Sequence, residues 1–188
     1  IDTCCIDQKS SSELSESINS MFSWYRDAEL CIAYLYATEC LDLDQARQRD
    51  MRSRPFRLSG WFRRGWTLQE LIAPRDVLFY QAQWKILGLR STLASLLTEI
   101  THIPLSILTG CDLGHLSSYS IATRFSWAVS RSAARPEDRV YSLIGLFGVN
   151  IPTLYGEGES AAFYRLRIMI FQTFLDHTIL SWHYQRGN

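Results

Sequence analysis

Trp66 and Glu70 stand four residues apart in Trp61-Phe62-Arg63-Arg64-Gly65-Trp66-Thr67-Leu68-Gln69-Glu70-Leu71, a spacing that puts two side chains on one face of a helix. Tryptophan there supplies an apolar wall and a plane on which a nicotinamide or adenine ring can stack. A carboxylate beside it can stabilise the oxocarbenium-like cation formed when an N-glycosidic bond breaks, which is electrostatic chemistry that needs no metal. Arg63 and Arg64 come just before, and guanidinium groups bind phosphate in bidentate fashion. The same residues have a plainer reading. Glu70 then pairs at the surface with Arg63, Arg64 or Arg75, and Trp61, Trp66 and Leu71 are core.

Other candidates follow from position. Asp7 and Gln8 come directly after the β-branched, Cys-rich stretch Ile1 to Ile6. If that stretch is the end of a buried strand, both lie near the cleft that parallel α/β sheets form at the carboxyl ends of their strands; capping or turn formation is the alternative. Asp2 falls within the strand and suits a buried hydrogen-bonding role. Tyr155-Gly156-Glu157-Gly158-Glu159 is glycine-rich but lacks the Gly-Lys-Ser/Thr ending of a phosphate loop. It reads as a tight turn into the last helix. No serine or histidine sits in a nucleophile motif. The four histidines show no zinc-type spacing with the cysteines, so no metal ligands are assigned.

These residues need elements to hold them. Ser10 with Glu13 forms a capping-box pattern, and Leu14, Ile18, Met21, Phe22 and Tyr25 recur at helical spacing. Leu30 to Leu35 reads as a buried strand, and Val77 to Tyr80 as another strand. Residues 38 to 58 are polar and arginine-rich, a solvated loop with a helical piece around Asp44 to Met51. A helix from Trp61 to Ile72 ends before Pro74. Residues 1 to 81 therefore alternate strand, helix, strand, helix, strand, the mark of a parallel sheet covered by helices. Residues 82 to 188 are mainly helical. Helices are expected over Leu89 to Ile100, Ile121 to Ser130, Pro136 to Phe147 and Ser160 to Leu175, with a short final strand at Ile179 to Trp182.

Bulk properties narrow the classes. Of the 188 residues, 47% are hydrophobic and 20% charged, which suits a packed core rather than a disordered tail. Lys+Arg and Asp+Glu both number 19, so the basic excess of a dedicated nucleic-acid binder is missing. No apolar run approaches the ~20 residues of a membrane helix. The chain opens on Ile1 with no secretory signal, and that start reads as a fragment boundary. Five cysteines at irregular spacing suggest thiols in a reducing compartment rather than a disulfide framework.

Several ungapped blocks, in order, resemble one family. Ile1-Asp2-Thr3-Cys4-Cys5-Ile6-Asp7-Gln8 is similar to its Trp-Ile-Asp segment without the tryptophan. The Trp61 to Leu71 block resembles its Trp-Arg-Trp helix with a Leu-Gln-Glu-like ending. Arg124 to Trp127, Glu137 to Gly148 and Leu154-Tyr155-Gly156-Glu157-Gly158-Glu159 resemble its later blocks. The family is the fungal heterokaryon-incompatibility (HET) domain, and the likeness covers essentially all of residues 1 to 188. It implies an α/β fold with a Toll/interleukin-1 receptor (TIR)-like parallel sheet flanked by helices and a C-terminal helical part. The family's first strand and helix are missing from this chain. It also implies a cytoplasmic effector of non-self recognition that triggers regulated cell death, with protein partners, self-association and a fused receptor region. A remoter likeness joins Trp66-Thr67-Leu68-Gln69-Glu70-Leu71 to the Trp-Cys-x-x-Glu-Leu helix of plant TIR domains. By that likeness Glu70 would be catalytic, with NAD or a related nucleotide as candidate substrate and no resident cofactor.

Overall fold

The structure, a computed structural model, describes residues 5–36, 54–110, 113–174, 176 and 178. Asp2, the Asp44 to Met51 helix and the Ile179 to Trp182 strand lie outside them.

The first helix, α1 (Ser11–Asp27), starts where its cap predicts. The Ser10 hydroxyl accepts from Glu13 N at 3.3 Å. The other half of the expected capping box is displaced: the Glu13 carboxylate accepts from Asp7 N at 3.0 Å, because Ser10 N is already bonded to the Asp7 carbonyl. Upstream, Cys5 is helical and exposed, so the described end of the Ile1 to Ile6 stretch is not a buried strand. Asp7 and Gln8 consequently sit at the entrance to α1. Asp7 Oδ1 accepts from Lys9 N at 2.9 Å, the local turn that aspartate makes readily.

Strands β1 (Cys31–Leu35) and β2 (Val77–Gln81) pair in parallel, and β3 (Ile86–Leu89) adds antiparallel to β2. The sheet is therefore mixed, and it runs past residue 81. Leu89, expected to begin a helix, ends β3, and the helix that follows starts only at Ala94; the chain turns at Ala82–Trp84 with Gln83 and Trp84 in the left-handed region. Burial alternates along both long strands. Cys31, Ala33, Leu35, Val77 and Phe79 are buried, whereas Ile32 is 56% exposed. The strand expected to be buried at Leu30 to Leu35 is thus buried on one face. The outer face carries Ile32, Tyr34, Tyr80 and Ile86, with Trp84 packed 4.7 Å from the Tyr34 ring.

Against the inner face lie α2 (Arg54–Arg57), through Phe56, and α3 (Thr67–Ile72), through Leu68, Leu71 and Ile72. The expected helix from Trp61 to Ile72 is broken into a 3-10 turn, Gly60–Arg63, and α3. Arg64 bridges to Ser132, and Gly65 N donates to the Ser132 carbonyl at 2.8 Å. A Cβ on Gly65 would meet Ser142 Oγ at 2.9 Å, a contact that rotation of the Ser142 hydroxyl can relieve.

The helical part contains α4 (Ala94–Thr101), α5 (Leu105–Leu108), α6 (Ile121–Ser126), α7 (Asp138–Tyr141), α8 (Ile144–Phe147) and α9 (Glu159–Thr173). The single helix expected from Pro136 to Phe147 is split by a turn at Ser142 and Leu143. Helix α1 packs on α8 so closely that a Cβ on Gly145 would stand 2.2 Å from Phe22 Cβ.

Buried arginines tie these parts together. Arg90 is 1% exposed and donates to the carbonyls of Leu71, Pro74, Arg75 and Leu108 at 2.8–3.1 Å. Arg131 donates to Arg64 O at 2.9 Å and to Thr67 Oγ1 at 2.8 Å. Such bonds supply donors to carbonyls that packing removes from water.

Candidate functional site

A cavity of about 600 Å³ opens between α1, the 64–66 segment, the 132–135 segment and α7. Leu14, Ile18 and Met21, at helical spacing, form its apolar wall. Gln8, Arg64, Trp66, Arg135, Asp138 and Tyr155 give it polar and aromatic groups.

Tyr155 reaches the cavity because its loop is held at several points. Glu137 Oε1 accepts from Gly156 N and Gly158 N, both at 2.9 Å. Gly156 and Gly158 have φ of 98° and 80°, values that glycine adopts readily. Beneath the loop, the Tyr141 hydroxyl donates to Glu157 and accepts from Leu154 N at 2.7 Å. Arg165 pairs with Glu157 and donates to the Pro152 carbonyl at 2.8 Å. The glycine-rich segment is thus a tight turn into α9, as its sequence suggests.

At the cavity wall the Tyr155 hydroxyl donates to Asp138 Oδ1 at 2.7 Å. The Arg135 guanidinium lies 4.4 Å from the centre of the Tyr155 ring, a cation–π contact. Burial pushes the Asp138 carboxyl above its usual range, against the Tyr155 hydroxyl, the Arg135 charge and the Trp66 indole, which draw it down. Burial also raises the Tyr155 hydroxyl, and the hydrogen bond to Asp138 adds to that shift. Glu137 shifts the other way, because backbone N–H groups, its own first and then that of Gly158, favour its charged form.

The structure distributes the candidates unevenly. Gln8, Arg64 and Trp66 share the cavity, whereas Asp7, Arg63 and Glu70 are not among its walls. Trp66 has helical backbone angles and its carbonyl accepts from Glu70 N at 3.4 Å, so the two remain one turn apart despite the broken helix. Glu70 is half-buried on the side of Arg131. Burial lowers the Arg131 pKa to about 10 and the Glu70 charge opposes that shift, leaving the guanidinium cationic at neutral pH. Sequence spacing missed Arg135, Asp138 and Tyr155 as cavity residues. The blocks Glu137 to Gly148 and Leu154 to Glu159 contain the last two, and those blocks carry the family likeness.

Comparison with known proteins agrees with that likeness. Vegetative incompatibility protein HET-E-1 of Podospora anserina is 44% identical over 172 residues, covering 89% of this chain. The chain is a HET-related fungal protein. It spans 12% of the length of that relative. No family model matches this HET-related chain, and no solved structure matches it. Among the described residues, no helix is long and apolar enough to cross a membrane.

Proposed function

We propose that this chain is the effector or signalling part of a fungal non-self recognition protein, acting in heterokaryon incompatibility to trigger regulated cell death through protein interaction and self-association. The observation that carries this reading is the 44% identity over 172 residues to a vegetative incompatibility protein. That relative is far longer than the matched stretch, which fits an effector fused to a receptor region. Receptor assembly would raise the local concentration of such effectors and drive weak contacts between copies. The reading makes this a cytoplasmic protein with protein partners. Its test is to induce the natural protein in a fungal host beside a version lacking this segment, and to score death at matched abundance. Death should require the segment, and cross-linking should capture copies of it together. Undiminished death after the deletion overturns the reading.

A second reading is a TIR-like enzyme that cleaves NAD or a related nucleotide, with Glu70 as the catalytic carboxylate. It is favoured by the one-turn relation of Trp66 and Glu70. The position of Glu70 outside the cavity walls weighs against it. Incubating the protein with NAD and assaying nicotinamide separates the readings: release that disappears in Glu70→Gln supports cleavage, and no release removes it.

A further inference from the structure

We propose that the cavity lined by Trp66, Asp138 and Tyr155 binds a ribonucleoside phosphate as a retained ligand. In this arrangement Arg64 and Arg135 hold the phosphate, Asp138 holds a ribose hydroxyl, and the base lies against Trp66. The inference goes beyond the effector reading and needs no cleavage at Glu70, which lies outside the cavity.

Three features of the cavity select this ligand class. Its volume, about 600 Å³, falls inside the ~300–1,000 Å³ typical of small-molecule sites. Arg64 and Arg135 both line it and both residues are exposed, the Arg135 guanidinium standing over the Tyr155 ring. A pair of arginines favours phosphate over a neutral ligand, since guanidinium geometry matches phosphate oxygens. Trp66 is half-buried and faces the same space as Leu14, Ile18 and Met21. An indole and aliphatic side chains lining one cavity suit a flat aromatic ring.

Asp138 joins the two ends of such a ligand. Its Oδ1 is held by the Tyr155 hydroxyl at 2.7 Å, so the carboxyl is oriented before anything binds. Carboxylates serve the same purpose for ribose hydroxyls in dinucleotide sites. Because Tyr155 satisfies part of this carboxyl and burial disfavours its charge, it repels a nearby phosphate less than a solvated carboxylate would. A ligand seated here would bridge α1, the 132–135 segment and the Tyr155 loop. Binding would therefore stabilise the fold, since a ligand that binds only the native state raises its stability.

The test uses the purified natural protein, with ADP, adenosine, 2′-deoxy-ADP and inorganic phosphate as probes. Melting temperature and tryptophan fluorescence are the readouts. ADP should raise the melting temperature and change the fluorescence. Adenosine and phosphate should each bind at least about tenfold more weakly, because each forfeits charge-assisted or stacking contacts. Arg64→Gln and Arg135→Gln should each weaken ADP about tenfold, while the unliganded melt falls only slightly in Arg135→Gln, which gives up its contact with the Tyr155 ring. Asp138→Asn should narrow the preference for ADP over 2′-deoxy-ADP. A cooperative melt that ADP at millimolar concentration does not move overturns the proposal. ADP binding that survives both arginine substitutions together overturns it as well, as does phosphate binding as tightly as ADP. Loss of ADP binding with unaltered killing would sink only the role of the ligand in death, and would leave the effector reading standing.

Discussion

The sheet and the cavity rim are held together by different physics. Phe79, Val77 and Leu35 are fully buried beneath α2 and α3, and apolar burial does most of the stabilising there. Around the cavity, polar groups anchor backbone. Arg131 holds the 64–67 segment, Glu137 holds Gly156 and Gly158, and Arg165 with Tyr141 holds Glu157. Apolar packing is non-directional and tolerates small adjustments. Hydrogen-bonded anchors specify position, which a wall carrying Asp138 and Tyr155 requires. They also fail abruptly when one partner is removed.

The largest contrast should come from Phe79→Ala and Arg131→Met. Phe79 is 0% exposed and packs edge-on against Phe56 and Trp61. Its truncation should cost about 4 kcal/mol, transfer and cavity terms together. The midpoint of denaturant unfolding should fall, with protection against hydrogen exchange reduced across the whole sheet. Arg131→Met keeps much of the volume but removes the donor to the Trp127 carbonyl and to Thr67 Oγ1, and leaves Arg64 O with the Thr67 hydroxyl alone. We expect a loss of about 3 kcal/mol, with exchange rising first around residues 63–67 and 132 while the sheet stays protected. If both variants loosen the same amides to the same degree, the two regions are one cooperative unit and the contrast is wrong.

A smaller effect should appear with pH. The Arg165 hydrogen bond, followed by that of Tyr141, holds the Glu157 carboxyl below its usual value of 4.5. A carboxyl depressed in the folded state contributes stability that is present above its unfolded pKa and is lost as pH falls through the folded value. Glu137 acts in the same direction. Asp138, raised from 3.8 by burial, acts in the opposite one, its ionisation costing stability as pH rises through its folded value. Glu157→Gln should therefore destabilise by about 1 kcal/mol near neutral pH, the difference closing as pH drops below about 4. A difference independent of pH would mean that Glu157 acts through shape rather than charge.

Much of the apolar framework was legible in the sequence, and for identifiable reasons. Leu14, Ile18 and Met21 recur at helical spacing behind a serine cap, and β1 and β2 are short apolar runs. The polar framework was harder to read. Arg90 and Arg131 are of a type that ordinarily marks surface, yet both are buried. Strand β3 spans four residues and contains Gly88, too little pattern to distinguish it from the start of a helix. The break at Gly65 depends on Ser132, far along the chain. The same applies to the cavity. Trp66 and Arg64 advertise themselves by type and spacing, but Asp138 and Tyr155 become neighbours through tertiary anchors such as the Glu137 bonds to Gly156 and Gly158.

The smallest expected change in stability belongs to Glu70→Gln, and it bears directly on the two readings of function. Glu70 is half-buried and its charge acts on Arg131, whose guanidinium is already bonded to Arg64 O and Thr67 Oγ1. Glutamine keeps the size and the hydrogen-bonding capacity of the side chain. Removing the charge should therefore cost at most ~1 kcal/mol, as for other partly solvated pairs. That modest cost makes the variant informative, because protein abundance should hold while chemistry is tested. If Glu70 stabilises a cationic transition state, killing and NAD loss should both fall on the order of a hundredfold at unchanged melting temperature. If the segment acts through contacts between copies, killing should persist at normal abundance with NAD unaffected. Death that depends on Glu70 without any change in NAD would remove NAD cleavage and turn attention to what the Glu70–Arg131 side of α3 touches in a partner.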